Sequence, residues 1–196
     1  MKTVLAALLL SAILLFGCTA APLPEGVTAD GRPYRGAANP RVVIYEYSDF
    51  ECPFCAQAVG TVDETLRAYP DSVQLQYRHF PLEVHPRGVP AAVAAECAAE
   101  QGKFWQMHDR LFANQNALSD ADLAKYAQEL GLDMGKFAEC QKSDDALSRV
   151  ESDRLEGMAK GVQATPTFFI GQSSIRGSQP ISKFKQVVDS ELARAR

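Results

Sequence analysis

Residues that bind metals are scarce in this chain of 196 residues: it has three histidines and five cysteines, and only Cys52 and Cys55 stand at close spacing. A structural zinc site draws on two such local pairs. Neither Cys97 and Cys140, more than forty positions apart, nor His79, His85 and His108 supply the second pair, so no metal is expected. A surplus of basic charge is also missing. The formal net charge is −4 with both signs interspersed, and nothing in that balance calls for nucleic acid as a partner. There is no internal repeat. Finally, no apolar run reaches the roughly 20 residues of a permanent membrane-spanning helix.

The longest apolar run, Val4 to Phe16, follows Lys2 and precedes Gly17 and Cys18. This is the pattern of an export signal, assigned to residues 1–20. Leu15-Phe16-Gly17-Cys18 resembles the bacterial lipobox, which makes Cys18 the expected site of lipid attachment and the cell envelope or periplasm the expected location. Phe16 is bulkier than that motif usually has, so ordinary cleavage after Ala20 or Ala21 is the alternative. A lipidated chain would be held at a membrane surface by more than one acyl chain. Four cysteines remain beyond the signal, an even number that suits an oxidising compartment.

Ala21 to Asn39 is rich in Pro, Gly and small residues and reads as a tether, with an edge strand near Arg32 to Arg35. One domain follows from about Pro40. Arg41 to Ser48 has the Val, Ile and Tyr content of a strand, Pro53 to Tyr69 reads as a helix and Val73 to Phe80 as a second strand. That connection is long enough for a right-handed parallel crossover. From about 86 to 161 the periodicity is helical, with Phe104, Met107, His108, Leu111 and Phe112 on one stripe and Leu123, Tyr126, Ala127 and Leu130 on another. Ser119 with Asp122 predicts a helix start, and Gly131 a stop. Thr167 to Ile170 and Ser173 to Arg176 read as a hairpin around Gly171-Gln172, and Ile181, Phe184, Val188 and Leu192 mark a closing helix. The fold class is therefore α/β, a βαβ start and a ββα finish around a helical insertion. Phe104, Trp105, Phe112, Phe168 and Phe169 read as core rather than as a binding groove, and the three histidines as structural.

The chemistry lies in Cys52-Pro53-Phe54-Cys55, directly after an apolar strand. Two intervening residues let one helical turn hold both sulfurs within bonding distance. Pro53 has the fixed φ of a first helical residue, which leaves Cys52 as the cap. The unpaired N–H groups and the positive end of the helix dipole there favour a thiolate, so Cys52 is the expected nucleophile. Glu46 shares one strand face with Val42 and Ile44. Burial would raise its pKa and suit it to exchange a proton with Cys55; a solvent-facing Glu near the strand end is the alternative. Cys97, at helical spacing from Val89 and Val93, and Cys140 both fall in the helical segment. They can pair as a structural disulfide or remain two buried thiols, because spacing alone does not set the distance between their Cα atoms.

Ser48-Asp49-Phe50-Glu51-Cys52-Pro53-Phe54-Cys55 and Thr165-Pro166-Thr167-Phe168-Phe169, with Tyr77 to Leu82 and Gly102 to Trp105 between them, resemble the DsbA-like thiol:disulfide oxidoreductases of the thioredoxin superfamily. The likeness covers nearly all of the chain beyond the signal. It implies a thioredoxin fold with an inserted helical domain, and catalysis by an exposed Cys52 sulfur with Cys55, assisted by Glu46. It also implies a cis bond at Thr165-Pro166 and substrate contacts at Pro53, Phe54, Thr165 and Pro166. No cofactor is implied beyond the cysteine pair. The implied partners are reduced client proteins and a membrane reoxidase of the DsbB or vitamin-K-epoxide-reductase-like type, and the protein itself is expected to be a monomer. Strongly oxidising members often carry His where Phe54 stands, which points to a milder oxidant. The same motif serves reductases and isomerases, and a peptide-binding module without turnover is a further alternative.

Overall fold

The computed structural model describes residues 21–195; the expected signal and Cys18 lie outside them. In chain order the elements are β1 (Glu25–Val27), β2 (Pro33–Gly36), β3 (Val42–Ser48), α1 (Pro53–Ala68), β4 (Val73–His79), α2 (Gly88–Ala99), α3 (Phe104–Ala113), α4 (Asp120–Glu129), α5 (Met134–Cys140), α6 (Asp144–Ala159), β5 (Thr167–Ile170), β6 (Ser173–Arg176) and α7 (Ile181–Arg194). The strands form one sheet of six in the order β1-β2-β4-β3-β5-β6. β3 and β4 are parallel, joined across α1 as a crossover requires, and the remaining pairs are antiparallel. This is the α/β arrangement expected of a thioredoxin-like fold, with five helices between β4 and β5.

Alternation along β3 separates two faces. Val42, Ile44, Glu46 and Ser48 point one way, where Ile44 and Glu46 stand opposite Ile170 and Phe168 of β5 and beside Leu75 and Tyr77 of β4. This face packs on Cys55, Ala58, Val62 and Leu66 of α1 and on Phe184, Val187 and Val188 of α7 to form the main core. Each large apolar side chain buried there contributes about 1.5–3 kcal/mol. Tyr45 and Tyr47 point the other way, into a smaller cluster with Phe80, Val162 and Phe169. Gly157 of α6 lies so close to it that a Cβ would meet the Phe80 and Tyr47 rings at 2.6 and 2.8 Å. Every residue of β4 is buried, as befits a parallel strand covered on both faces.

The strand expected near Arg32 to Arg35 is present as β2, and with β1 before it residues 25–36 belong to the sheet. β1 forms the edge of the sheet, and β2 lies inside it, pairing with β4 through Tyr34 opposite Gln76 and Arg35 opposite Leu75. Long-range contacts hold them there. Buried Arg35 forms ion pairs with Glu25, Asp63 and Asp109 and stacks 4.5 Å above the Trp105 ring, whose Nε1 donates to the Tyr34 carbonyl at 2.9 Å. At Gly36, φ is +104° and a Cβ would meet the Val73 carbonyl oxygen at 2.6 Å, so the strand end tolerates only glycine.

In the insertion, Ser119 caps α4 reciprocally with Asp122, and Gly131 follows the helix at φ +73°. Cys97 of α2 and Cys140 at the end of α5 form a disulfide with Cα atoms 5.6 Å apart. Phe104, Trp105, Phe112 and Phe168 are buried in the core, while Phe169 is half-buried. No helix among the described residues is long and apolar enough to cross a membrane.

Candidate active site

β3 delivers the chain to a turn, Asp49 to Cys52, fastened on several sides. Asp49 is buried and its carboxylate accepts three hydrogen bonds: from the Glu51 N–H at 2.9 Å, the Leu82 N–H at 2.8 Å and His85 Nδ1 at 2.7 Å. Glu51 Oε2 accepts from the Arg87 N–H at 2.6 Å. From the helical insertion, Gln115 Nε2 donates to the carbonyls of Phe50 and Cys52, both at 2.8 Å. The turn that aims Cys52 is thus tied to the loop after β4 and to the segment after α3.

Cys52 has the extended backbone of a helix cap, φ −75° and ψ 121°, with Pro53 at the first position of α1. Cys52 and Cys55 are free thiols. The Cys52 thiol is pulled down to about 5, first by the hydrogen bond from Cys55 and then, against the opposing effect of burial, by the Thr165 side chain and the N–H groups of Cys55 and Phe54. Cys55, wholly buried, moves the opposite way: burial pushes its thiol up and the Cys52 anion pushes it further. The Asp49 N–H donates to Cys55 Sγ at 3.5 Å. The environment therefore divides two identical thiols into one stable anion and one persistent acid.

The Thr165-Pro166 bond is cis, and the protonated Cys52 thiol reaches the Thr165 carbonyl oxygen at 3.4 Å. That contact explains a departure from expectation. Cys52 is 3 % exposed rather than open, because the proline loop covers it. Pro53 and Phe54 are exposed beside it, Phe54 at 57 %. Glu46 is 2 % exposed, which resolves the two orientations in favour of the buried one. Burial raises its carboxyl to about 7; Asp63 adds to the rise, while the Ser48 hydroxyl and Arg35 oppose it.

The structure thus brings Cys52, Cys55, Pro53, Phe54, Thr165 and Pro166 into one site, sets Glu46 on the core face of β3 two residues before Ser48, whose hydroxyl acts on both Glu46 and Cys55, and places the Cys97–Cys140 bridge in the insertion. Asp49, His85 and Gln115 join the site without having been expected there. His79 and His108 pair with Glu96 and Asp109 at 2.9 and 2.7 Å and are structural. His85 differs in that its partner is in the active-site turn. Burial pulls its pKa down, but Asp49 more than offsets this and the result is a raised value.

A family model described as thioredoxin matches residues 28–190. Among curated proteins, the chain is 42 % identical over 171 residues to one named Na(+)/H(+) antiporter NhaA 3 from Salinispora tropica, covering 87 % of this chain and 26 % of that protein. It is also 42 % identical over 144 residues to the Na(+)/H(+) antiporter NhaA of Herminiimonas arsenicoxydans, covering 74 % and 23 %. The chain therefore spans about a quarter of the length of these relatives. Among solved structures it resembles a thioredoxin-like oxidoreductase from Silicibacter pomeroyi, with a TM-score of 0.76, 25 % identity, and coverage of 84 % of this chain and 93 % of that one. It shares its fold with the thiol-disulfide exchange protein alpha-DsbA2 from Wolbachia pipientis, at a TM-score of 0.74 and 21 % identity, covering 81 % and 86 %. The match over 28–190 shows that the chain belongs to the thioredoxin family.

Proposed function

We propose that the protein is an exported thiol:disulfide oxidoreductase that introduces disulfides into secreted or envelope proteins. The observation that carries this reading is the division of labour at the N-terminus of α1, where Cys52 is held as an anion and Cys55 as an acid. In the oxidised enzyme a client thiolate attacks Cys52 Sγ, the Cys52–Cys55 bond breaks, and Cys55 leaves with the electron pair and takes a proton from Glu46. A second client thiolate then attacks the client sulfur of the mixed disulfide and expels the Cys52 thiolate. The client departs with a disulfide, and the enzyme holds the two electrons as a dithiol. A thiolate with a pKa of about 5 leaves readily, and at pH 7 it outnumbers its thiol about a hundredfold.

The exposed Phe54 beside Cys52 offers a client segment an apolar contact, and the resemblance assigns the Thr165 main chain, whose carbonyl accepts from the Cys52 thiol in the free enzyme, to backbone hydrogen bonds with an extended client. No cofactor takes part. A membrane reoxidase of the DsbB or vitamin-K-epoxide-reductase-like type would reclaim the electrons, and a lipid on Cys18 would keep the enzyme near it. The Cys52 value lies between those of about 7 for thioredoxin and about 3.5 for DsbA, which supports a moderate oxidant.

Equilibration of the Cys52–Cys55 pair with glutathione tests this reading. We expect a potential between the roughly −270 mV of thioredoxin and the roughly −120 mV of DsbA. A potential at or below that of thioredoxin would replace the oxidant with a reductant. Failure of the wild-type protein to exchange disulfides at all would leave a peptide-binding module.

A further inference from the structure

Behind Cys55 the main core holds polar atoms that an apolar core would not keep. Glu46 Oε1, Ser48 Oγ and Tyr77 Oη are all buried and make no hydrogen bond of ordinary geometry. Unpaired buried polar atoms cost stability, and several together beside a reactive group mark a function. Their grouping follows from the sheet. Glu46 and Tyr77 stand side by side in the parallel β3–β4 register, and Ser48 is two residues beyond Glu46 on the same face. Phe50, stacked on the Tyr77 ring at 5.3 Å, fixes the phenol. The Ser48 hydroxyl favours the charged forms of Glu46, Cys55 and Tyr77 alike, and the N–H of Asp49, the next residue, donates to Cys55 Sγ at 3.5 Å, which places Ser48 between the carboxyl and the buried sulfur.

We propose that the Ser48 hydroxyl relays the proton between Glu46 and Cys55, and that Tyr77 acts as a positioning residue that steadies the Glu46 carboxylate. This deepens the oxidoreductase reading above and rests on it. When the Cys52–Cys55 bond breaks, Cys55 leaves as a thiolate. Ser48 gives it the hydroxyl proton and takes the carboxyl proton of Glu46 in the same event, so the serine is unchanged. Glu46 becomes a carboxylate, to which Tyr77 Oη donates a hydrogen bond. Reoxidation runs the transfers in reverse. The charged and titratable groups that act on or stand beside Glu46 are Asp63 from α1, Arg35 from β2 and Tyr77 from β4, with His79 and His108 edge-on to the Tyr77 ring; β5 faces Glu46 with Phe168.

The test follows reduction of the oxidised full chain by dithiothreitol in stopped flow from pH 5 to 9, after correction for ionisation of the reagent. In the wild type the corrected rate should fall as pH rises through about 7, where Glu46 gives up its proton. Ser48→Ala should slow the reaction below pH 7 by about tenfold, less than general acid catalysis as a whole contributes, and remove that pH step. Ser48→Thr should restore both rate and step. Ser48→Ala combined with Glu46→Gln should be no slower than Glu46→Gln alone, as two parts of one path require. Tyr77→Phe should move the step to higher pH. Because Ser48→Ala removes an unpaired buried hydroxyl, its Tm should equal or exceed that of the wild type, which separates lost rate from damaged fold. A Ser48→Ala enzyme with wild-type rate and pH step would overturn the relay while leaving the oxidoreductase intact. A wild type that does not exchange would instead remove the underlying function.

Discussion

Cys97 and Cys140 sit on two helices of the insertion and are bonded, whereas Cys52 and Cys55 share the first turn of one helix and are free. Both pairs are buried, so exposure does not distinguish them. Their neighbours do. Cys97 lies in the last turn of α2 and Cys140 is the last residue of α5, at helix ends where the dipole disfavours an anion, and the bridge closes a separation of 43 residues. Cys52 has instead a helix start, the Cys55 thiol and the Thr165 loop. A structural bridge and a redox pair differ in whether the anion released on breaking the bond has a place to rest.

The largest test of that contrast exchanges the sulfurs of the redox pair one at a time. Cys52→Ser should reduce oxidation of a reduced test protein to background, and Cys55→Ser should accumulate mixed disulfides through Cys52, visible on non-reducing gels. Removing the other bridge with Cys97→Ala and Cys140→Ala should leave the exchange rate within about twofold while costing about 4 kcal/mol, a fall in Tm on the order of 10 °C by calorimetry. Loss of exchange in that double variant would make the insertion disulfide part of the redox machinery.

Glu46 gives a smaller effect of defined sign. Its folded pKa, about 7, is above the ordinary carboxylate value, so its burial penalises the native state increasingly as pH rises from about 4.5 to 7 and fully beyond. Glu46→Gln should therefore stabilise the protein by about 3 kcal/mol at pH 8 and by almost nothing at pH 4, measured by denaturant titration. Equal stabilisation at both pH values would contradict a raised carboxyl. The smallest expected change is at Gln115→Ala, which removes two bonds to the active-site turn. About 1–2 kcal/mol of stability should be lost, together with a several-fold drop in exchange rate that the alanine pair in the insertion does not show.

The elements with strong local patterns were legible in the chain: the Val and Ile alternation of β3, the Cys-Pro-Phe-Cys start of α1, the Ser119–Asp122 cap and the Thr167–Arg176 hairpin all stand where the residues place them. β1 was not, and β2 was legible only as an edge strand, whereas it lies inside the sheet. Glu25-Gly26-Val27 and Pro33-Tyr34-Arg35-Gly36 have no alternating apolar signal, and their strand state is set by Arg35, Trp105 and the free edge of β4. The same holds within the site. Cys52, Cys55 and Pro166 are marked by motif and Glu46 by its lone charge in a strand, whereas Asp49, His85, Gln115, Ser48 and Tyr77 are ordinary polar residues until folding sets them beside the sulfurs.

The Arg35–Asp109 pair gives β2 an attachment to α3 that tolerates acid. Burial works against the Asp109 carboxylate, yet its bonds to His108 and Arg35 hold it down to about 2, far below the range in which free carboxylates take up protons. A guanidinium keeps its charge throughout. The stability this pair supplies is complete above about pH 4 and fades only as pH falls through about 2, so the pair fastening β2 to α3 should outlast most of the surface charge pairs in a souring environment.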